Sequence, residues 1–184
     1  MAENWETPAF RVIHQVFHIN GICIAGTSAG ATVMSRQMIA QVQASIITEK
    51  GVVSFDIGLG LVSMAIIDQH FSQRRRLTRL LSAVAQRPVL LGVSIAKNKG
   101  LVITVNKSIE VIGVGAVTIL DGREMISNYD QIEAQEKLEL LGVKMYLLPS
   151  GSRYSAKIPR AAEKRIASLM NAISYLVLPG PARI

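Results

Sequence analysis

The sequence predicts an α/β domain in which a mostly parallel sheet is flanked by helices and is followed by a C-terminal β-meander and a terminal helix. In the first half, apolar runs of strand length alternate with segments of helical periodicity, which is the order that builds a parallel sheet. In the second half the apolar period changes to two, with turn signals at Asn106-Lys107 and Asp121-Gly122. No repeat or linker divides the 184 residues, so a single domain over residues 1–184 is expected.

The individual elements follow from apolar spacing and from glycine and proline positions. Thr7-Pro8 is a helix start signal, Asn20-Gly21 ends that helix, and Pro88 ends a later basic helix. Apart from this basic helix, the predicted elements are, in chain order, helix 5–18, strand 22–25, helix 31–43, strands 61–67, 89–95, 101–105, 109–112, 115–120 and 143–148, and helix 160–176.

The composition limits the class of protein. Hydrophobic residues make up 49% of the chain, and the mean hydropathy is +0.33. Strands buried on both faces, or an apolar surface buried by a partner, would account for this. No apolar run approaches the ~18 residues of a membrane helix, and the polar N-terminus is not a secretory signal, so a cytoplasmic location is expected.

The net charge of +7 would attract an acidic ligand or polymer. Only 5% of the residues are aromatic, and none interleaves with a basic stretch, so the sequence does not favour nucleic-acid binding. Cys23 is the single cysteine, which excludes an intramolecular disulfide and a cysteine-based zinc site. Its apolar surroundings predict a buried, inert thiol. No metal or cofactor is expected.

The segment Gly26-Thr27-Ser28-Ala29-Gly30 has the pattern of a serine-nucleophile elbow. The tight turn needs small neighbours, and it lifts the serine hydroxyl away from the backbone towards a pocket. The N–H of Ala29 is then a candidate oxyanion donor. The alternative is a small-residue turn whose serine only caps the following helix.

Three histidines could serve as the base: His14, His18 and His70. The first two lie on the first helix, on its surface or packing face. His70 follows a predicted buried strand, and in open parallel sheets ligand sites form at the carboxyl ends of the strands. We therefore assign His70 as the general base.

Two segments of this sequence resemble the cyanophycinase family. The first is Ala25 to Ala31 followed by Val33-Met34-Ser35, and the second is Asp68-Gln69-His70-Phe71 with arginines at 74, 76 and 79. The resemblance runs in order from about residue 7 to residue 154. It implies a glutamine-amidotransferase-like α/β sandwich and a serine exopeptidase that releases β-aspartyl-arginine dipeptides from cyanophycin. It also implies a nucleophile, a base and a set of pocket residues, which are Ser28, His70, Asp68, Gln69, Arg74, Arg76 and Arg79.

Two departures from the family pattern open alternatives. Lys97 stands where the family has its triad glutamate, and a lysine cannot accept the hydrogen bond that orients the histidine. The family also has further strands before the nucleophile strand, so a homo-oligomer or a partner chain is expected to complete the sheet. The alternatives are a working peptidase, a catalytically impaired binding or structural subunit, and a basic module for an acidic polymer.

Overall fold

The computed structural model describes residues 7–42, 47–69, 75–156 and 164–180. The helices are α1 (Pro8–His18), α2 (Ala29–Thr32), α3 (Arg75–Gln86) and α4 (Lys164–Leu176). The strands are β1 (Gln37–Val42), β2 (Val53–Ile57), β3 (Ala65–Gln69), β4 (Leu91–Ile95), β5 (Lys99–Thr104), β6 (Ser108–Gly113), β7 (Ala116–Asp121), β8 (Ile126–Ser127), β9 (Leu140–Leu141), β10 (Lys144–Pro149) and β11 (Arg153–Ser155). No helix within these ranges is long and apolar enough to cross a bilayer.

A four-stranded sheet in the order β10-β7-β4-β3 forms the centre. Strands β3 and β4 are parallel, because α3 provides the crossover between them. Strand β7 runs antiparallel to β4 and to β10. The prediction of a mostly parallel sheet is therefore not confirmed for the described residues, because two strands from the second half, β7 and β10, join this sheet in antiparallel pairs.

The predicted strands at the start of the second half are found as β5, β6 and β7, and of these only β5 and β6 pair with each other. Strand β6 pairs with β5 and with β11 in a second, three-stranded sheet, while β7 crosses into the four-stranded sheet. The predicted terminal helix is confirmed by α4, and residues 160–163 of that prediction lie outside the described residues.

Both faces of the four-stranded sheet are buried. On one face, alternate residues such as Val93 and Ile119 pack with the second sheet and with α4. On the other face, Leu120 packs against α3, and Ile66 packs against α3 and the β1–β2 hairpin. This alternation follows from the two-residue period of strands, and it places the second sheet and α4 on one face of the four-stranded sheet and α3 with the β1–β2 hairpin on the other.

The front region (residues 7–35) differs from its prediction. Helix α1 begins as expected, with Thr7 Oγ1 accepting a hydrogen bond from the Phe10 N–H at 3.2 Å and Pro8 in the first turn. Residues 21–27, however, form neither helix nor strand. The predicted helix 31–43 is also wrong: α2 has four residues, and β1, which pairs with β2, follows it. The predicted buried thiol is wrong too, because Cys23 is exposed.

Candidate active site

The backbone of Ser28 adopts an unusual conformation, with φ 54° and ψ −127°. Residues that have a Cβ atom rarely adopt positive φ, so the backbone of Ser28 is strained. A sharp, strained turn into a helix is what the nucleophile elbow requires. Ser28 is exposed, and the turn is closed by hydrogen bonds of 2.9 Å from the Gly30 N–H to the Thr27 carbonyl and from the Ala31 N–H to the Ser28 carbonyl.

The two glycines of the elbow differ in what they do. A Cβ atom on Gly26 would lie 2.2 Å from the carbonyl oxygen of Gly30, so the turn requires glycine at this position. A Cβ atom on Gly30 would meet no atom of the described residues within 4 Å. Of the two glycines in the predicted pattern, Gly26 is therefore the one that the packing of the turn requires.

The N–H of Ala29 donates no hydrogen bond to any residue that the structure describes, and Ala29 is exposed. It is therefore available as the predicted oxyanion donor. Because α2 has only four residues, its dipole contributes less than the long helix of the prediction would, and the individual N–H group is the relevant donor.

Asp68 and Gln69 end β3, and α2 packs against this strand. The Asp68 side chain is buried and forms a bidentate ion pair with Arg79 of α3: Arg79 Nε donates to Oδ2 at 3.1 Å, and Arg79 Nη2 donates to Oδ1. The Gln69 N–H also donates to Asp68 Oδ1, at 2.8 Å. Both oxygens of the Asp68 carboxylate are thus engaged by the protein itself.

The other predicted pocket residues are described only in part. His70, the predicted base, and Arg74 lie outside the described residues. Arg76 belongs to α3, but its side chain is not described. Of the three predicted arginines, Arg79 is the one with a described side chain, and its guanidinium also donates to the Gln69 carbonyl at 3.4 Å.

Lys97 lies in the turn between β4 and β5 and is exposed. Because β3 and β4 are parallel with Gln69 opposite Ile95, their carboxyl ends share one edge of the sheet. The Lys97 position is therefore at the same edge of the sheet as Asp68. Among the described residues, no group of three His, Cys, Asp or Glu side chains could hold a metal.

Sequence reasoning missed a buried polar row beneath α3. Asp68 lies opposite Ser94 in the parallel register, and Ser94 lies opposite Thr118 in the antiparallel one. All three side chains are buried, and Ser94 Oγ has no hydrogen-bond partner within the described part of the chain. No signal for this row is present in the sequence, because Ser94 and Thr118 are single polar residues in apolar strands, and only the strand register aligns them with Asp68.

His14 and His18 both make contacts within the fold. His14 is buried, its Nε2 lies 2.5 Å from the Leu59 carbonyl oxygen, and its ring stacks on Phe10. It lines a cleft of about 210 Å³ that also includes Arg36. Burial, with a smaller contribution from the charge of His14, lowers the pKa of His18 below its ordinary value. These contacts agree with the prediction that both histidines lie on the surface or packing face of α1.

Comparison with known proteins identifies a family and several relatives. The sequence profile of peptidase family S51 matches residues 1–112. The cyanophycinase of Geminocystis herdmanii is 37% identical over 153 residues, which are 83% of this chain and 56% of the relative. The cyanophycinase of Thermosynechococcus vestitus is 33% identical over 168 residues, 90% of this chain and 52% of the relative. The cyanophycinase of Trichormus variabilis is 36% identical over 150 residues, 81% of this chain and 50% of the relative.

This chain therefore spans about half the length of the curated relatives it matches. The family profile covers more than half of the chain itself and includes the elbow, β3 and the Lys97 turn. On the strength of the family profile, which matches residues 1–112, the chain belongs to peptidase family S51.

Proposed function

We propose that this chain carries the serine-peptidase site of a cyanophycinase-like hydrolase, with Ser28 as the nucleophile and His70 as its base. The observation that carries the proposal is the strained backbone of Ser28 within Gly26–Gly30, in a member of a peptidase family. A structural cap would not need positive φ, because ordinary N-cap residues have extended backbones. Strain of this kind is characteristic of functional sites.

The proposed reaction is acyl transfer. Ser28 Oγ attacks the scissile carbonyl while His70 takes its proton, and the Ala29 N–H donates to the oxyanion that forms. His70 then returns the proton to the leaving amine, and water hydrolyses the acyl-enzyme by the same steps.

The proposed substrate is cyanophycin or a related isopeptide with free carboxylates, because the relatives that match this chain are cyanophycinases. Gln69, Arg74 and Arg76 are proposed to contact it, since guanidinium groups pair with carboxylates in a bidentate way. Asp68 and Arg79 are proposed to shape the pocket, and their ion pair supports this proposal.

A specific observation favours a second candidate, a catalytically impaired binding or structural subunit. Lys97 occupies the position of the triad acid, and the Asp68 carboxylate already accepts from Arg79 and from the Gln69 N–H. The side chain at residue 97 therefore cannot accept a hydrogen bond from His70. In the serine-protease template, losing the orienting acid costs about 10⁴-fold in kcat.

The test is release of β-aspartyl-arginine dipeptides from purified cyanophycin. We expect the wild-type chain to release them, Ser28→Ala to abolish release, and Ser54→Ala, an exposed serine on β2, to keep it. Sedimentation with insoluble cyanophycin separates the two candidates. Binding without release, unchanged by Ser28→Ala, supports the impaired subunit and rejects the peptidase.

A further inference from the structure

Helix α1 places two histidines side by side. His14 and His18 are four residues apart, so they lie on the same face of the helix, one turn from each other. Their ring centroids are 5.2 Å apart, and the two rings are tilted by 36°. Neither imidazole belongs to the proposed peptidase site, in which His70 is the base. The pair therefore needs an explanation of its own.

Each of the two rings has one buried nitrogen without a hydrogen-bond partner among the described residues. These atoms are Nδ1 of His14 and Nε2 of His18. The His14 residue as a whole is only 1% exposed. Because buried polar atoms in native proteins nearly always have a partner, two neighbouring exceptions indicate a ligand that engages both rings.

The other nitrogen of His14 determines the tautomer of its ring. Nε2 of His14 lies 2.5 Å from the Leu59 carbonyl oxygen, which can only accept, so Nε2 carries the hydrogen and donates it. In the neutral ring, Nδ1 then has a free lone pair. A metal-binding histidine is typically held in this way, with its second ring N–H donating to a backbone carbonyl.

The spacing of the two rings suits a single metal ion between them. Side chains on a helix lean towards its N-terminus, so the outer end of the His18 ring, with Nε2, is expected over the inner end of His14, with Nδ1. Histidine nitrogens bind zinc at about 2.0–2.1 Å. Since a ring centroid lies about 1.1 Å behind its nitrogen, two rings on one tetrahedral ion have centroids about 5 Å apart, close to the observed 5.2 Å.

We propose that His14 and His18 form a two-histidine site for a divalent transition metal cation, bound through Nδ1 of His14 and Nε2 of His18. Imidazole suits Zn²⁺, Cu²⁺ and Ni²⁺, and among these Cu²⁺ binds most tightly to a given set of nitrogens. The other coordination positions are left to water, because no third His, Cys, Asp or Glu joins the pair within the described ranges.

The contacts of the pair give the metal a structural role. His14 donates to the Leu59 carbonyl, and the Leu59 N–H donates to the Val33 carbonyl at 2.6 Å. Val33 directly follows α2, the short helix that begins after Ser28. A metal that fixes the His14 ring would therefore hold α1 against the segment behind the elbow. The site does not depend on hydrolysis, so it stands or fails separately from the proposed function.

Titration of the untagged, metal-free chain with Cu²⁺ is the first measurement. Every protein in this series carries Cys23→Ser, which removes the exposed thiol as a competing ligand. We expect one ion to bind per chain and to show the electron paramagnetic resonance splitting of two coordinated imidazole nitrogens. A chain that binds no Cu²⁺, or binds it without nitrogen ligands, would overturn the proposal.

Two substitutions remove the proposed ligand atoms and keep the rest of each side chain's contacts. In His14→Gln the amide nitrogen takes the place of Nε2 and can still donate to the Leu59 carbonyl, whereas nothing replaces Nδ1. In His18→Asn the amide nitrogen takes the place of Nδ1, and nothing replaces Nε2. Each variant should weaken Cu²⁺ binding by about tenfold or more, the least that loss of even a supporting partner typically costs.

His70→Gln is the matched control, because it changes the one other histidine of the sequence. It should leave the affinity for Cu²⁺ unchanged. Weakening by His70→Gln as large as that caused by His14→Gln and His18→Asn would reject the α1 pair as the site.

Zn²⁺ provides a second measurement that does not rely on spectroscopy. An ion that binds the folded chain alone raises the midpoint of denaturation. We expect Zn²⁺ to raise this midpoint for the parent chain and for His70→Gln, and to leave it nearly unchanged for His14→Gln and His18→Asn. If circular dichroism shows that one of these two variants does not fold, the other decides. Equal shifts in all four proteins would place the metal elsewhere and overturn the proposal.

Discussion

The front region and the four-stranded sheet use apolar residues in opposite ways. In the sheet, Ile66 on one face and Ile119 on the other are fully buried. In the front region, Val12, Ile19 and Ile22 are more than half exposed. The sheet is thus covered on both faces, whereas these three side chains of the front region remain largely exposed. We therefore expect the sheet to contribute more to stability than the front region does.

The candidate site is divided between these two regions. The front region supplies Ser28 with its strained backbone, and the sheet supplies the edge with Asp68 and the Lys97 turn. On the front side, the backbone of Ser28 has the conformation of the proposed elbow. On the sheet side, the residue at the proposed acid position is a lysine, whose charge is the reverse of what an orienting acid requires. The two halves of the site therefore differ in how closely they follow the family pattern.

Lys97→Glu tests whether the sheet side limits activity, and it has the largest expected effect. A glutamate at this position could accept a hydrogen bond from His70 and stabilise its imidazolium, so we expect kcat for dipeptide release to rise by up to about 10⁴-fold. The measurement is a comparison of initial rates on cyanophycin. Lys107→Glu, the same charge change in the exposed β5–β6 turn, is the control and should leave the rate near that of the wild type. Equal rates for Lys97→Glu and the wild type would show that Lys97 does not limit dipeptide release.

How far the sequence predicts the fold also differs between the regions. The strands from β5 to β7 and the helix α3 were predictable because their patterns and turns are local. The strand predicted over residues 22–25 was not found, because a strand exists only through its neighbours, and no described residue pairs with this segment. The four residues of α2 replaced a predicted helix because residues 33–36 bond to residues 58–62 instead, as in the 2.6 Å contact from the Leu59 N–H to the Val33 carbonyl.

The candidate site was predictable to a similar extent. The small residues around Ser28 encode the turn locally, and the requirement for glycine at residue 26 is steric. The pairing of Asp68 with Arg79 was not predictable, because it depends on how α3 lies across the sheet. The same holds for Ser94, whose place beside Asp68 is set by strand register.

A pair of truncations tests the difference in packing directly. Ile119→Ala in the sheet should lower the free energy of unfolding by about 2–5 kcal/mol, because it removes buried methyl groups and leaves a cavity. Ile22→Ala in the front region should change it by less than about 0.5 kcal/mol, because that side chain is already exposed. Denaturant titration of both variants provides the measurement. A loss at Ile22 as large as that at Ile119 would show that the front region is packed in solution and would contradict the comparison.

The smallest effect concerns the strain at Ser28. Ser28→Gly and Ser28→Ala both remove the hydroxyl, so their difference in stability isolates the Cβ atom. Because φ is 54°, we expect the glycine variant to be more stable than the alanine variant by about 1 kcal/mol, a strain of 1–3 kcal/mol partly offset by the entropy that glycine loses on folding. At Ser54, in β2, the alanine variant should be more stable than the glycine variant, because glycine is unfavourable in a strand. Both Ser28 variants should be inactive, so a glycine variant that gains stability as it loses hydrolysis would mark the turn as strained for function. A glycine variant less stable than alanine at residue 28 would mean that the elbow is relaxed in solution, and the proposed nucleophile would lose its main structural support.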